Sequence, residues 1–176
     1  MAGRCVVEFR VYPRSVAMSS RSFDEFAGRV NQEIALSEWL LVTQERVNEF
    51  ARVTDDPDWM HIDVERARRG PVGHTIAQGF LTLSLLLHFS RQGNYLPKDV
   101  DYAFNYGLNR VRWLAPVAVG ARIRNRTVLK AVTRRGASNY LVTTLNTVEV
   151  DGSERPAMIA EWLGLVHSAG QDSSVS

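Results

Sequence analysis

Cysteine is almost absent. The 176-residue chain holds one, Cys5, which excludes an intramolecular disulfide and any cysteine-built metal cluster. That scarcity fits a reducing compartment, so a cytoplasmic location is expected. No apolar run reaches the length of a membrane span. Met1 to Ser20 lack the long apolar core and small-residue cleavage site of a secretory signal. No internal repeat or low-complexity tract occurs, and neither sign of charge dominates, the net being +2. The acidic residues lack the spacing and glycine of a calcium loop, so no metal is expected. No nucleic-acid motif is present and the aromatic residues form no recognisable stacking platform. Neither a nucleic acid nor a membrane is an expected partner.

What the chain does contain is one domain's worth of patterned sequence. Residues 1–21 read as an N-terminal extension, expected to be flexible, with Met18 a candidate natural start; 22–168 read as the folded domain, and 169–176 as a polar, loose tail. Ser22-Phe23-Asp24-Glu25 has the form of a capping box for a short helix to about Val30. Trp39 to Val42 predicts a short strand, and Thr43 caps a helix ending near Thr54, because Pro57 cannot continue it and biases Asp56 away from helix. Asp56 to Met60 is then a loop, Asp63 an N-cap for a brief helix through Arg68, and Gly70-Pro71-Val72-Gly73 a break. From about Ala77 to Gln92 runs one long helix, apolar nearly all round, which belongs at the centre of something; Gly93 is expected to stop it in the left-handed conformation. The period then changes to two. Ala103–Trp113, Arg122–Val132, Tyr140–Val150 and Met158–Val166 alternate, with turns between, and predict an antiparallel sheet. The fold class is α+β, a sheet wrapped around a central helix.

Chemistry concentrates in two places. Asp56-Pro57-Asp58-Trp59-Met60-His61-Ile62-Asp63 sets a carboxylate and an imidazole close together in a turn-prone run, and Gln78-Gly79 opens the apolar helix with backbone N–H groups that have no partner within the helix. An acid/base pair beside such donors suits chemistry on a carbonyl compound with a site for water. Each residue also has a plainer reading: Asp56 as a turn residue, His61 as a satisfied core histidine, Ser84 as a hydroxyl bonding back to the carbonyl one turn earlier, Asp63 as a cap, His74 and His88 as incidental. Asp55 and Asp58 compete with Asp56 for the carboxylate role. Arg110, Arg112, Arg122, Arg124, Arg126, Lys130, Arg134 and Arg135 crowd the C-terminal half, either as a phosphate-binding patch or as solvated strand faces.

Three motifs in order carry a resemblance: Asp56 to Asp63; Gly70-Pro71-Val72-Gly73-His74-Thr75-Ile76-Ala77-Gln78-Gly79-Phe80-Leu81-Thr82-Leu83; and Asn105-Tyr106-Gly107-Leu108-Asn109-Arg110-Val111-Arg112 leading to Pro116-Val117. Over Ser37 to Val166 the chain resembles the MaoC-type, (R)-specific enoyl-CoA hydratases of hot-dog fold, in the subgroup of nodulation protein N-like proteins. The resemblance implies hydration of trans-2-enoyl-CoA to (R)-3-hydroxyacyl-CoA, with Asp56 and His61 as the catalytic pair, Ser84 on the central helix, and the Gly79 N–H holding the thioester oxygen. Gln78 stands where the family usually has histidine. Asn105, Arg110 and Arg112 are candidate substrate contacts, coenzyme A being part of the substrate and no cofactor being required. A homodimer is the implied assembly. A hot-dog thioesterase or a fatty-acid-synthesis dehydratase would place an acid on the central helix, and Ala77 to Gln92 has none. A non-catalytic acyl-thioester-binding subunit is the remaining alternative, against which the intact pair counts.

Overall fold

The computed structural model describes residues 22–168; the expected extension and tail lie outside the described residues. Helix α1 (Phe23–Ala27), capped by Ser22 Oγ accepting from Glu25 N, is followed by β1 (Glu33–Leu36), β2 (Leu40–Leu41) and α2 (Gln44–Thr54). Short helices α3 (Trp59–Ile62) and α4 (Val64–Arg68) lead to α5 (Gly79–Ser84) and α6 (Leu86–Gly93). Four long strands close the chain: β3 (Val100–Trp113), β4 (Arg122–Arg134), β5 (Asn139–Val150) and β6 (Met158–Ser168). With β1 and β2 they form one six-stranded antiparallel sheet in the order β1-β4-β5-β6-β3, β2 also pairing with β4. This is the α+β, hot-dog arrangement that the sequence implied.

Alternation decides what each strand buries. Along β4, Ile123, Asn125, Thr127 and Leu129 face inward, while Arg122, Arg124 and Arg126 face out. One apolar cluster packs Leu81, Leu85, Leu86 and Phe89 of the helix pair against Val42, Val47, Ile123, Val148 and Met158; a second gathers Phe23, Phe26, Ile34, Tyr95, Leu129, Val142 and Val166. The sheet also buries a row of polar side chains. Asn125 Nδ2 donates to Asn146 Oδ1 and to Thr127 Oγ1, both at 2.9 Å, and Asn146 Nδ2 donates to Thr144 Oγ1 at 2.9 Å. The large majority of buried polar groups in protein cores are bonded in this way.

Three expectations are corrected. The single helix from Ala77 to Gln92 is two helices meeting at Leu85, and it is not enclosed: Phe80 is 66% exposed and Leu87 45%. The sheet covers only one side of it. Thr82 Oγ1 and Ser84 Oγ bond back to the carbonyls of Gln78 (3.3 Å) and Phe80 (2.8 Å), a pattern that bends helices. Second, the left-handed residue that ends α6 is Asn94, not Gly93. Gly93 is a glycine because a Cβ there would stand 2.8 Å from Ala35 Cβ, so its role is close approach to β1. Third, the Asp56–Met60 loop is cut short by α3, which starts at Trp59 under an Asp58 cap.

Candidate active site

The site begins with how α2 ends. Asp55 takes the left-handed conformation (φ 51°), and both its N–H and that of Asp56 bond the carbonyl of Ala51, the latter at 3.0 Å. This six-to-one closure usually employs glycine; aspartate is among the few other residues that tolerate it. It sets where Asp56 leaves the helix. Pro57 extends the chain, and Asp58 then accepts from Met60 N at 3.0 Å to start α3. Asp63 closes α3 and caps α4 by accepting from Arg66 N at 2.9 Å, as expected for a cap. Of the neighbouring carboxylates, Asp55 is spent on backbone geometry and Asp58 on a cap. Asp56 faces the imidazole.

His61 is held from both ends. Its backbone carbonyl accepts from Gln44 Nε2 at 2.7 Å, and Gln44 Oε1 in turn accepts from Thr75 Oγ1 at 2.6 Å. Its Nδ1 lies 2.7 Å from the carbonyl of Ile76, while Ile76 N donates to the carbonyl of Met60 at 3.0 Å. A carbonyl only accepts, so Nδ1 carries a hydrogen, and in the neutral imidazole the Nε2 lone pair is the one turned toward Asp56. Nε2 stands 4.0 Å from Asp56 Oδ2, the imidazole being 12% exposed and the carboxylate side chain 45%. That separation is too long for a direct hydrogen bond but fits one water about 2.8 Å from each group.

His61 and Gly79 line one cavity of about 270 Å³ with Ile76, Thr82, Trp113 and Pro116. Among the described residues, no acceptor takes the Gly79 N–H, the first of α5. Asp56 meets this cavity only through His61 and is not one of its lining residues, and the other sequence candidates are elsewhere. Gln78 is 3% exposed and sits in the core, its Nε2 donating to the carbonyl of Val47 at 3.2 Å and its Oε1 without a partner among the described residues. Ser84 and Asn105 line a second cavity of about 290 Å³ with Leu83, Leu87, Leu108 and Trp162. Arg110 and Arg112 are exposed on β3, Arg112 Nη1 donating to the carbonyl of Val111. On the outer face of β4, Arg122, Arg124 and Arg126 are paired with carboxylates rather than free. Arg124 and Arg126 both clasp Glu149, at 2.7 and 2.8 Å, while Arg126 also pairs with Glu33 and Arg122 with Asp151. Burial would raise the Glu149 pKa, but hydrogen bonds from Arg126 and Arg124 outweigh it and hold it below 4.5. Sequence reasoning missed Gln44 and Trp113. Neither has a motif, since each acts through a partner distant in the chain.

Comparison with known proteins is consistent across sequence and structure. The model of the "MaoC like domain" family matches residues 25–151. A 3-hydroxyacyl-thioester dehydratase Z of Mycobacterium tuberculosis (strain ATCC 25618 / H37Rv) is 46% identical over 140 residues, covering 80% of this chain and 92% of that one. Nodulation protein N of Rhizobium leguminosarum bv. viciae is 40% identical over 150 residues, covering 85% and 93%. The solved (R)-hydratase from A. caviae involved in PHA biosynthesis superposes with a TM-score of 0.62 at 20% identity, over 77% of this chain and 94% of that one, a likeness of fold.

Proposed function

The chain belongs to the MaoC-like family and is an enzyme of the hydratase/dehydratase class, and from that premise we propose that it catalyses (R)-specific hydration of trans-2-enoyl-CoA to (R)-3-hydroxyacyl-CoA, and the reverse. The observation that carries this reading is the 4.0 Å gap between Asp56 Oδ2 and a His61 Nε2 whose tautomer is fixed from behind by Ile76. A water in that gap donates one hydrogen to each group and presents an oxygen lone pair to the β-carbon. As the new C–O bond forms, the π electrons move toward the thioester, and its oxygen gains negative charge beside the Gly79 N–H. One such preorganised donor contributes about 3 kcal/mol to the barrier. The proton taken from water by the pair returns to the α-carbon, so atoms and charge balance with no cofactor. Positioned proton transfer of this kind contributes about 10²–10⁴-fold.

Neither α5 nor α6 carries an Asp or Glu, which disfavours the thioesterase alternative. Arg110 and Arg112 are the exposed cations nearest in sequence to the cavity wall at Trp113, and they suit the phosphates of coenzyme A. The enzyme is read as cytoplasmic. It is also read as a homodimer, because β3 is a 14-residue edge strand bearing exposed Tyr102, Phe104, Tyr106 and Leu108. The test is to follow loss of the conjugated-thioester absorbance across enoyl-CoA chain lengths and pass the product to an (R)-specific 3-hydroxyacyl-CoA dehydrogenase. Hydration with product consumed by that enzyme is expected. Free thiol release without hydration would support thioester hydrolysis instead.

A further inference from the structure

The corner at Gly79 is held from two sides by groups that the hydration steps above do not use. On one side, the carbonyl of Gln78 accepts from Thr82 N at 3.1 Å and Thr82 Oγ1 at 3.3 Å. That carbonyl belongs to the same peptide unit as the Gly79 N–H. On the other side, the carbonyl of Gly79 accepts from Trp113 Nε1 at 2.8 Å, across 34 positions of sequence. The Gly79 Cα is the joint between these two peptide planes. Glycine is the residue least able to hold such a joint by itself, yet with both planes anchored the direction of its N–H is set.

The glycine and the indole fit each other. A Cβ at position 79 would stand 3.0 Å from Trp113 Cε2 and Nε1, a contact so tight that the ring would have to shift by a few tenths of an ångström. Gly79 has no need of a positive φ, so close approach of Trp113 is the physical reason for it. Trp113 is the last residue of β3 and pairs with Met158 of β6, which anchors it to the sheet. Phe80 covers its ring at a centroid distance of 5.5 Å. The ring also forms part of the wall of the His61 cavity.

We propose that Trp113 is a positioning residue: its indole N–H, from the end of the sheet, fixes the Gly79 peptide so that the backbone donor meets the thioester oxygen as it becomes negative. The inference rests on the hydratase reading of the cavity and adds to it the residue that aims the donor. Misplacing a reacting group by about 1 Å can cost about 10²-fold in rate, and a donor used mainly in the transition state shows its loss in kcat rather than KM.

The test replaces Trp113 with Phe, and separately with benzothienylalanine, which keeps the bicyclic shape and lacks only the N–H. Two quantities are read: kcat and KM for crotonyl-CoA, and the infrared carbonyl stretch of bound butyryl-CoA carrying ¹³C at C1. In the unaltered enzyme the stretch is expected at lower frequency than in free butyryl-CoA. Both replacements are expected to lower kcat by about 10–100-fold with KM little changed and to return the stretch toward its free value. Because the benzothienyl ring preserves packing, the result stands even if Trp113→Phe melts early. Unaltered kcat and carbonyl frequency in the benzothienyl enzyme overturn the inference while leaving the hydratase reading intact. If the unaltered enzyme neither hydrates crotonyl-CoA nor shifts the stretch, the reading of the site fails and the inference falls with it.

Discussion

Single residues separate the site from its look-alikes. Four aspartates lie within Asp55 to Asp63, and composition cannot rank them. The structure does so by backbone duty: Asp55 ends α2 in a left-handed turn, and Asp58 and Asp63 accept from helix N–H groups. Only Asp56 faces His61. Because glycine enters the left-handed region without strain, Asp55→Gly should melt at the same temperature or higher and keep full hydration activity. A large loss of activity in that variant would move the carboxylate role to Asp55. The cap at Asp63 was legible as the N-cap of a brief helix through Arg68. The Gln44 bridge to His61 and Thr75 was not, because it joins three segments that only the fold brings together.

At the scale of elements, period was the reliable signal. Alternation marked the four long strands; β4 shows it plainly, burying Ile123, Asn125, Thr127 and Leu129 while its arginines face out, whereas no residue of the edge strand β3 is buried in this chain. Strand β1 was missed. It is four residues long and owes its place to pairing with Val128, Thr127 and Arg126, far along the chain. The helix pair misled in the opposite sense: residues apolar on every side implied enclosure, whereas this chain alone covers one side and leaves Phe80 and Leu87 in the open. Gly93 shows how local propensity and packing can disagree. Alanine in an exposed helix would gain about 1 kcal/mol over glycine, but here its Cβ meets Ala35 at 2.8 Å, and overpacking costs about 1–3 kcal/mol. Gly93→Ala should therefore lower the melting temperature, and Ala35→Gly added to it should restore part of the loss. A rise in melting temperature for Gly93→Ala alone would show that α6 and β1 separate easily.

For the whole molecule, two consequences follow. Burial, with a smaller contribution from the Arg46 charge, holds the His88 pKa below its ordinary 6.5. The folded state then binds fewer protons than the unfolded one near that pH, so stability is full above 6.5 and is lost as pH falls below it. Urea midpoints should drop on acidification through this range, and His88→Gln should flatten that limb; an identical slope in the variant would assign it to other groups. The second consequence concerns the open edge of the sheet. A long edge strand with exposed aromatic residues is a pairing surface. Sedimentation should give a dimer at micromolar concentration, reduced to monomer by Tyr106→Lys; a monomeric parent would count against the reading of β3 as the contact between copies.

The central claim is that Asp56 and His61 share one water beside the Gly79 N–H. Its most direct test is the rate of crotonyl-CoA hydration by Asp56→Asn and His61→Ala, measured beside their melting curves. The account predicts rates down by about 10²–10⁴-fold or more in each with the fold retained. Hydration at the parent's rate in either folded variant would contradict it.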